Sequence, residues 1–571
     1  MQANRLGPQE RQNALIRLRE EMFDVLVIGG GVTGCGAALD AAARGLRVAV
    51  IEQRDWASGT SSRSSKLFHG GLRYLEQFDF ALVREALREQ KLMLKTLCPH
   101  LTHPIAFLLP LRPGVWQRLY LGAGVLIYDI IAGRRALPRH RHLSHKRALE
   151  RIPALRADTL SGAIEYYDAQ VDDARHTLTL ARTAAGHGAT LASSVRHLRF
   201  REEAGRITGS HAVCLETGEE IEIRARQVIN ATGVWTDRVQ TNIDNADLRV
   251  RASKGIHVVV PKDRIPGESG LVLRTPSSVL FLIPWKHHWI IGTTDTDWNL
   301  DLAHPAASLR DVDYVLETLN RALEKPLTHD DIEGVYAGLR PLLYGEDDAT
   351  SELSRHHAIS QPIPGLLTVA GGKYTTYRVM AKDAVDAAAR ELESPVPESS
   401  THRIPLLGAD GFRARKNRCE ALASQSGLSV LQIQHLLSRY GACIDDLLEL
   451  IHDRPELGET IPGAPTYLLV EAHYATSHEG ALHLDDVLTR RTRISIETFD
   501  RGLEASRPVA ALMAEILSWD AATCDREITH YAARVEAERE SQRQPDDRTA
   551  DAARMGAPDV RTGMQASPDR A

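Results

Sequence analysis

Cysteine is scarce in this 571-residue chain. The six present, at positions 35, 98, 214, 419, 443 and 524, are scattered and form no C-x-x-C pair. That excludes a disulfide framework, an iron–sulfur site and a structural zinc, and it fits a reducing cytosol. No metal site is expected. Positive charge is not in excess either: 69 Lys and Arg against 75 Asp and Glu leave a formal charge of -6. With no basic stripe interleaved with aromatics, nucleic acid is not an expected partner. No apolar run is long enough to cross a bilayer. Met1 to Glu21 alternates charged and apolar residues without the sustained apolar stretch of a secretory signal. What is left, 43% apolar and 25% charged, is the composition of a folded chain long enough for two or three domains.

The informative stretch is Val25 to Gly34, V-L-V-I-G-G-G-V-T-G, followed by Glu52 at the end of a second apolar run. An apolar strand feeds Gly29, Gly31 and Gly34, and a helix of small residues follows. The first glycine makes the tight turn, the second lets a pyrophosphate approach the backbone, and the third lets the helix pack close to its strand. Pyrophosphate then meets unpaired N–H groups at the helix N-terminus. Glu52 can accept hydrogen bonds from ribose hydroxyls but repels a 2′-phosphate, which favours FAD or NAD over NADP.

Beyond it, Gly59 to Lys66 is a loop rich in hydroxyl groups, and residues 78 to 97 read as a helix with Phe80, Val83, Leu87 and Leu94 on its inward stripe. Arg226 to Gly233 and Leu367 to Lys373 are further strands ending in small residues and glycine, which return the chain to the nucleotide-binding sheet. Val258 to Val260, Leu280 to Ile283 and Trp289 to Gly292 read as strands of a second sheet. The expected organisation is an N-terminal arm (1–21), a nucleotide domain built from 22–100, 226–240 and 330–392, and a substrate domain from 101–225 and 241–329. Some nucleotide-domain strands fall within 101–225. A Pro/Ser-rich linker (393–402), a helical domain (403–540) and a polar, disordered tail (541–571) complete the chain.

Val115 to His142 runs from apolar residues, among them Leu119, Tyr120, Leu126, Ile127 and Ile130, into Arg134, Arg135, Arg139 and Arg141. Such a segment suits a membrane surface, or a buried helix followed by a basic turn. The cluster Arg490-Arg491-Thr492-Arg493 reads as a docking patch, a solvated face or a contact inside the helical domain.

Taken together, Gly29-Gly-Gly-Val-Thr-Gly34, the run from Thr60 to Glu76, Asp172-Asp-Ala-Arg175, Ile291-Gly-Thr-Thr-Asp295, Gly338-Leu-Arg-Pro341 and Gly371-Gly-Lys-Tyr-Thr-Thr-Tyr377 resemble the FAD-dependent, respiratory glycerol-3-phosphate dehydrogenases. The likeness covers roughly residues 22 to 540. It implies an α/β fold: a glutathione-reductase-type FAD-binding domain, a mixed-sheet substrate domain and an all-helical C-terminal domain. It also implies oxidation of sn-glycerol 3-phosphate to dihydroxyacetone phosphate, with electrons passing through FAD to membrane quinone. The enzyme is then cytoplasmic and peripherally attached to the inner face of the cell membrane, with a homodimer left open. Alternatives are an oxidase that gives its electrons to oxygen and an inactive flavin-binding interaction protein.

By the same resemblance, Arg73, Tyr74, Arg340 and Lys373 bind substrate. His257 is the leading proton acceptor, because imidazole titrates near operating pH. Arg340 steadies the developing alkoxide, and His69 is the rival base or a residue that orients the flavin. Cofactor contacts are expected from Gly29, Gly31, Thr33, Gly34, Glu52, Thr60, Ser61, Ser65, Lys66, Leu67, His69, Gly70, Ala231, Gly233, Gly372, Lys373 and Thr375. Ile256 and Tyr374 depart from the small polar residue and the leucine common at their places in relatives.

Overall fold

Two sheets organise the chain. The computed structural model describes residues 4–75, 78–112, 115–133, 137–243, 246, 248–275, 279–343, 356–557 and 559–561, with the backbone alone for Arg73, Val115, Trp116 and Ala132. At the centre of the first sheet lies Met22–Ile28, whose Val25, Leu26 and Val27 are fully buried. Val48–Glu52 and Glu220–Asn230 flank it in parallel, with Val25 opposite both Val48 and Gln227. Thr190–Ser193 extends one side. Leu366–Gly371 extends the other, edged by the antiparallel His357–Ile363. A strand buried on both faces carries a continuous apolar run, as seen here.

Both faces of this sheet are covered. On one side the helices Val32–Ala43, Asp173–Gly186 and Tyr377–Arg390 pack through Ala37, Ala38, Ala41, Ala181, Ala184 and Ala384. Small side chains bring helix and sheet into close approach. On the other side Pro8–Glu20, the expected N-terminal arm, buries Ala14 and Leu18 against Phe23, Leu26 and Ile28.

The second sheet is mixed and runs Thr296–Trp298, Val250–Pro261, His288–Gly292, Val279–Trp285, Gly270–Arg274, Thr102–Leu111, Gly162–Val171 and Leu67–Phe68. Helix Leu309–Asn320 lays Val312, Val315, Leu316 and Leu319 against it. Their spacing is that of one helical face. Beyond the joint at 393–402, the C-terminal helices close a third core around residues such as Ile433, Leu447, Tyr474, Val487 and Met513.

Several sequence expectations are corrected. Gly334–Leu343, assigned to the nucleotide domain, instead pairs along Val250–Pro261 in the second sheet, and so does not return the chain to the first. An alternating strand pattern does not name its neighbour; partner choice is a long-range matter. Leu67–Phe68 likewise joins the second sheet. Phe80 is exposed at the start of helix Phe80–Leu92, while Val83 and Leu87 face inward as expected. The tail is ordered through its described part: helix Asp547–Arg554 is followed by the buried Arg561. Its low apolar content hid an ordering that rests on ion pairs.

The arginine cluster is neither a docking patch nor a solvated face. Arg490 and Arg491 both bind Asp55 of the first-sheet domain, and Arg493 binds Asp172 and Asp173. It is an internal clamp between domains.

Candidate active site

A cavity of about 1340 Å³ is lined by residues of both sheets. At one end is the glycine turn. Gly29 has φ +114°, and a Cβ there would lie 2.7 Å from the Ala231 carbonyl oxygen; a Cβ on Gly34 would lie 1.9 Å from the Gly29 carbonyl oxygen. Only glycine fits either position, which brings the helix N-terminus to the cavity wall. The Ser61 hydroxyl accepts from Val32 N–H at 2.9 Å, and Glu52 accepts from Gly30 N–H at 2.7 Å and Arg54 N–H at 2.9 Å. The Ser58 hydroxyl also donates to Oε1 at 3.4 Å, which leaves Oε2 the oxygen with a further lone pair for a ribose hydroxyl. A long cleft with a glycine turn, a helix N-terminus and a terminal acid fits a dinucleotide cofactor.

At the other end, two antiparallel strands meet in register: His257 opposite Tyr336, Gly255 opposite Gly338, and Ser253 opposite Arg340. His257 and Tyr336 stack with ring centroids 4.7 Å apart and planes within 13°. The lack of side chains on the glycine pair makes room for the Arg340 guanidinium and for the Arg63 backbone. A Cβ on Gly255 would lie 2.5 Å from Arg340 Nη2, and one on Gly338 would lie 2.4 Å from the Arg63 carbonyl oxygen.

Arg340 is held from both sides of its fork. Nη1 donates to Asp295 at 3.2 Å and Ser253 at 3.3 Å; Nη2 donates to the Thr293 hydroxyl at 3.1 Å and the Thr294 carbonyl at 3.2 Å. Its side chain is still about 30% exposed, toward the cavity it lines. A guanidinium oriented in advance gives up little entropy on meeting an anion.

His257 Nε2 lies 2.8 Å from Ser65 Oγ. Burial, and then the positive charges of Lys66 and Arg340, hold its pKa well below the usual histidine range, so the ring is neutral at physiological pH. Nδ1 is buried without a hydrogen-bond partner among the described residues.

Lys373 reaches the same cavity from the turn after the first sheet's Leu366–Gly371. Its Nζ stands 3.5 Å above the Tyr74 ring centroid, a cation–π contact that steers the ammonium. The loop before Tyr74 is fastened from below, where Asp168 Oδ1 accepts from Gly70 N–H, the Tyr128 hydroxyl and the Gln90 amide within 2.9 Å. Burial pushes the Asp168 carboxyl up to about 6, against these hydrogen bonds.

Two family models match the chain. That of FAD dependent oxidoreductases covers residues 24–378, and that of the C-terminal domain of alpha-glycerophosphate oxidase covers 399–524. The chain is 55% identical over 561 residues to the glycerol-3-phosphate dehydrogenase of Mycobacterium leprae, covering 98% of this chain and 96% of that one. It belongs to the FAD-dependent glycerol-3-phosphate dehydrogenase family. Among solved structures it is similar to the family's Bacillus halodurans enzyme, complexed with FAD, at a TM-score of 0.78 and 29% identity, over 93% of this chain and 98% of that chain. The L-alpha-glycerophosphate oxidase of Mycoplasma pneumoniae shares the fold, at a TM-score of 0.53 and 18% identity over 68% of this chain and 99% of its own. FAD is the cofactor of this family, and the cleft fits it.

Of the residues named from sequence, Gly29, Gly31, Thr33, Glu52, Thr60, Ser61, Ser65, Leu67, His69, Tyr74, Ala231, Gly233, His257, Arg340, Gly372 and Lys373 line the cavity. Gly34 acts by packing. Gly70 and Thr375 act on the loop, Thr375 through a hydrogen bond to the His69 carbonyl at 3.1 Å. The Lys66 side chain is a correction: fully buried, it pairs with Asp173 at 3.0 Å and gives its charge to the protein interior. The side chain of Arg73 lies outside the described residues. Ile256 is buried in the second core, away from the cavity lining, whereas Tyr374 lines the cavity, with its hydroxyl held inward by donation to the Asp173 carbonyl at 2.7 Å.

Sequence reasoning missed Tyr336 and Asp168, and it named Asp295 only as the end of a family motif, without its role in holding Arg340. A signal existed for the first: Tyr336, Gly338 and Arg340 alternate along one strand and so share a face. For Asp168 there was none, since its partners come from three distant segments.

Proposed function

We propose that this cavity oxidises sn-glycerol 3-phosphate to dihydroxyacetone phosphate, and that the electrons leave to quinone at a membrane surface. The observation that carries the reading is the matched strand pair: a neutral His257 and a fixed Arg340, each two register positions from the Gly255–Gly338 pair and on opposite sides of it, both lining the cleft that Glu52 also lines.

Arg340 and Lys373 supply the positive field for a phosphate dianion. Holding that non-reacting group turns an encounter into an oriented reaction at C2. His257, neutral in this surrounding, takes the C2 hydroxyl proton at Nε2, the nitrogen that Ser65 marks on the cavity wall. A bound dianion offsets the cations that depress its basicity, so the substrate itself prepares the base. Arg340, within the same field, stabilises negative charge growing on the C2 oxygen. FAD, when bound, supplies the hydride acceptor. Arg73 joins the phosphate contacts by the family pattern, and His69 orients the flavin.

Surface attachment is supported by helix Val115–Ala132. Val125 and Tyr128 face the protein, while Leu119, Tyr120, Leu126, Ile127 and Ile130 stand exposed on the other side. Among the described residues no helix is long and apolar enough to cross a membrane. An exposed apolar row of this kind suits insertion among headgroups.

Anaerobic addition of glycerol 3-phosphate to the holoprotein should bleach the flavin absorbance. Return of colour with a quinone analogue, and little peroxide in air, is the expected second half. No bleaching would refute the reaction, and rapid stoichiometric peroxide would assign the chain to the oxidases instead.

A further inference from the structure

The C-terminal segment forms part of the cofactor cleft. Asp551, Ala552, Met555 and Asp559 line the same cavity as Gly29 and Glu52, although both family models end before them, at residues 378 and 524. They stand at the Glu52 end. Arg54, whose N–H bonds Glu52, feels the charges of Asp559, Glu52 and Asp301 together, and Asp301 N–H donates to Asp551 at 3.3 Å.

This segment is fastened along its length to separate parts of the molecule. Gln544 accepts from Leu309 N–H through its carbonyl at 2.8 Å. Asp547 takes the buried Lys254 ammonium at 2.5 Å and the Ser308 hydroxyl at 3.2 Å, both from the second-sheet side. Arg554 is buried and reaches His304 at 3.3 Å. Arg561, also buried, binds both oxygens of Asp486 in the helical domain at 3.0 and 3.1 Å. A polar peptide lying loosely on the surface would not bury two arginines; charges buried in this way need their partners.

We propose that residues 541–557 and 559–561 form a strap that retains FAD by closing the adenosine end of its cleft. Ala552 and Met555 supply the apolar wall for the adenine ring, and Asp551 and Asp559 supply acceptors for adenosine donors. Since Asp547 ties to the substrate sheet and Arg561 to the helical domain, cofactor release requires the segment to detach from at least one of them. Local opening, and not unfolding of the whole chain, then sets the release rate. The strap requires that FAD occupy the cleft, as in the function proposed above, whichever alcohol is oxidised there.

The test is the rate of FAD dissociation, read as recovery of flavin fluorescence after dilution of the holoprotein, for a chain ending at Glu540 and for full-length Asp547→Ala and Met555→Ala. The expected result is release at least tenfold faster from the shortened chain and severalfold faster from each point variant. Arg548→Ala, on the exposed side of the strap, should release FAD at the wild-type rate. Wild-type release from the shortened chain overturns the proposal. If that chain does not fold, the point variants decide, and wild-type release from both overturns it as well. The readout needs no substrate, so a failure to bleach with glycerol 3-phosphate would leave it standing.

Discussion

Arg491 and Asp55, 436 positions apart in the chain, form a two-pronged ion pair at 2.6 and 2.7 Å with both side chains about 1% exposed. Asp55 also takes Arg490 at 2.6 Å. One carboxylate of the flavin domain, three residues after Glu52, thus bridges two guanidiniums of the helical domain, of which Arg490 is paired as well with Asp485 and Asp486. The helical domain is therefore part of the architecture that holds the cofactor end of the cleft.

Removing that carboxylate should be severe. Asp55→Ala leaves two buried guanidiniums without their shared partner, a loss of about 3–5 kcal/mol. Denaturant unfolding of the holoprotein, compared with an exposed control such as Glu420→Ala, checks it. A change below about 1 kcal/mol would mean that the clamp contributes little.

For the phosphate site, Arg340→Ala and Lys373→Met should each lower kcat/KM for glycerol 3-phosphate by about 10- to 150-fold, the value of one charge-assisted contact. Their activity on unphosphorylated glycerol should fall much less for Lys373→Met. Arg340→Ala should also lower kcat, because the same guanidinium stabilises charge at C2. Wild-type preference for the phosphorylated substrate in both variants would remove the clamp from the mechanism.

The neutral His257 makes a pH prediction. Its pKa is held well below the usual value by burial and by Lys66 and Arg340, so the base form persists through neutrality. Flavin reduction in the wild type should hold its rate down to about pH 6.5, the ordinary histidine value, and fall only at more acid pH. His257→Asn should slow reduction by about 10²- to 10⁴-fold and lose that acid limb. Stopped-flow reduction with C2-deuterated substrate measures both, and an unchanged rate and profile would exclude His257 as the base.

A second histidine governs stability at alkaline pH. Burial opposes charge on His483, but Glu216 and Glu527, each 3.0 Å away, hold its proton and raise its pKa to about 10. Because the folded pKa is above the unfolded one, this stabilisation is complete below about pH 6.5. It is lost as pH rises toward 10, by about 1.4 kcal/mol per unit at most. In His483→Gln that part of the pH dependence should disappear, leaving a flatter stability curve between pH 7 and 10. An unaltered slope would show that His483 carries no proton there.

Much of the flavin half is legible in the sequence. The glycine turn, the small-residue helix and Glu52 are close together along the chain, and their spacing states a local geometry with few solutions. His257 and Arg340 are readable as candidates from the family motifs around them, but their pairing is not. It depends on Gly334–Leu343 choosing the second sheet as its partner, and an alternating strand is compatible with either sheet.

Charged segments are the least legible. Lys66, Arg490, Arg491, Arg493 and the polar residues of 541–561 carry the composition of solvated loops, yet each of these cations is buried against an acid from a distant segment. Sequence by itself determined the local matters: where a backbone must turn, where a helix can approach a strand, and that a nucleotide without a 2′-phosphate fits the acid at the end. Only the tertiary structure decided which charges face the cleft and which neutralise one another inside the protein. Helix and strand patterns follow from neighbours a few positions away, whereas the cost of a buried charge is met by whatever carboxylate the whole fold brings within about 3 Å.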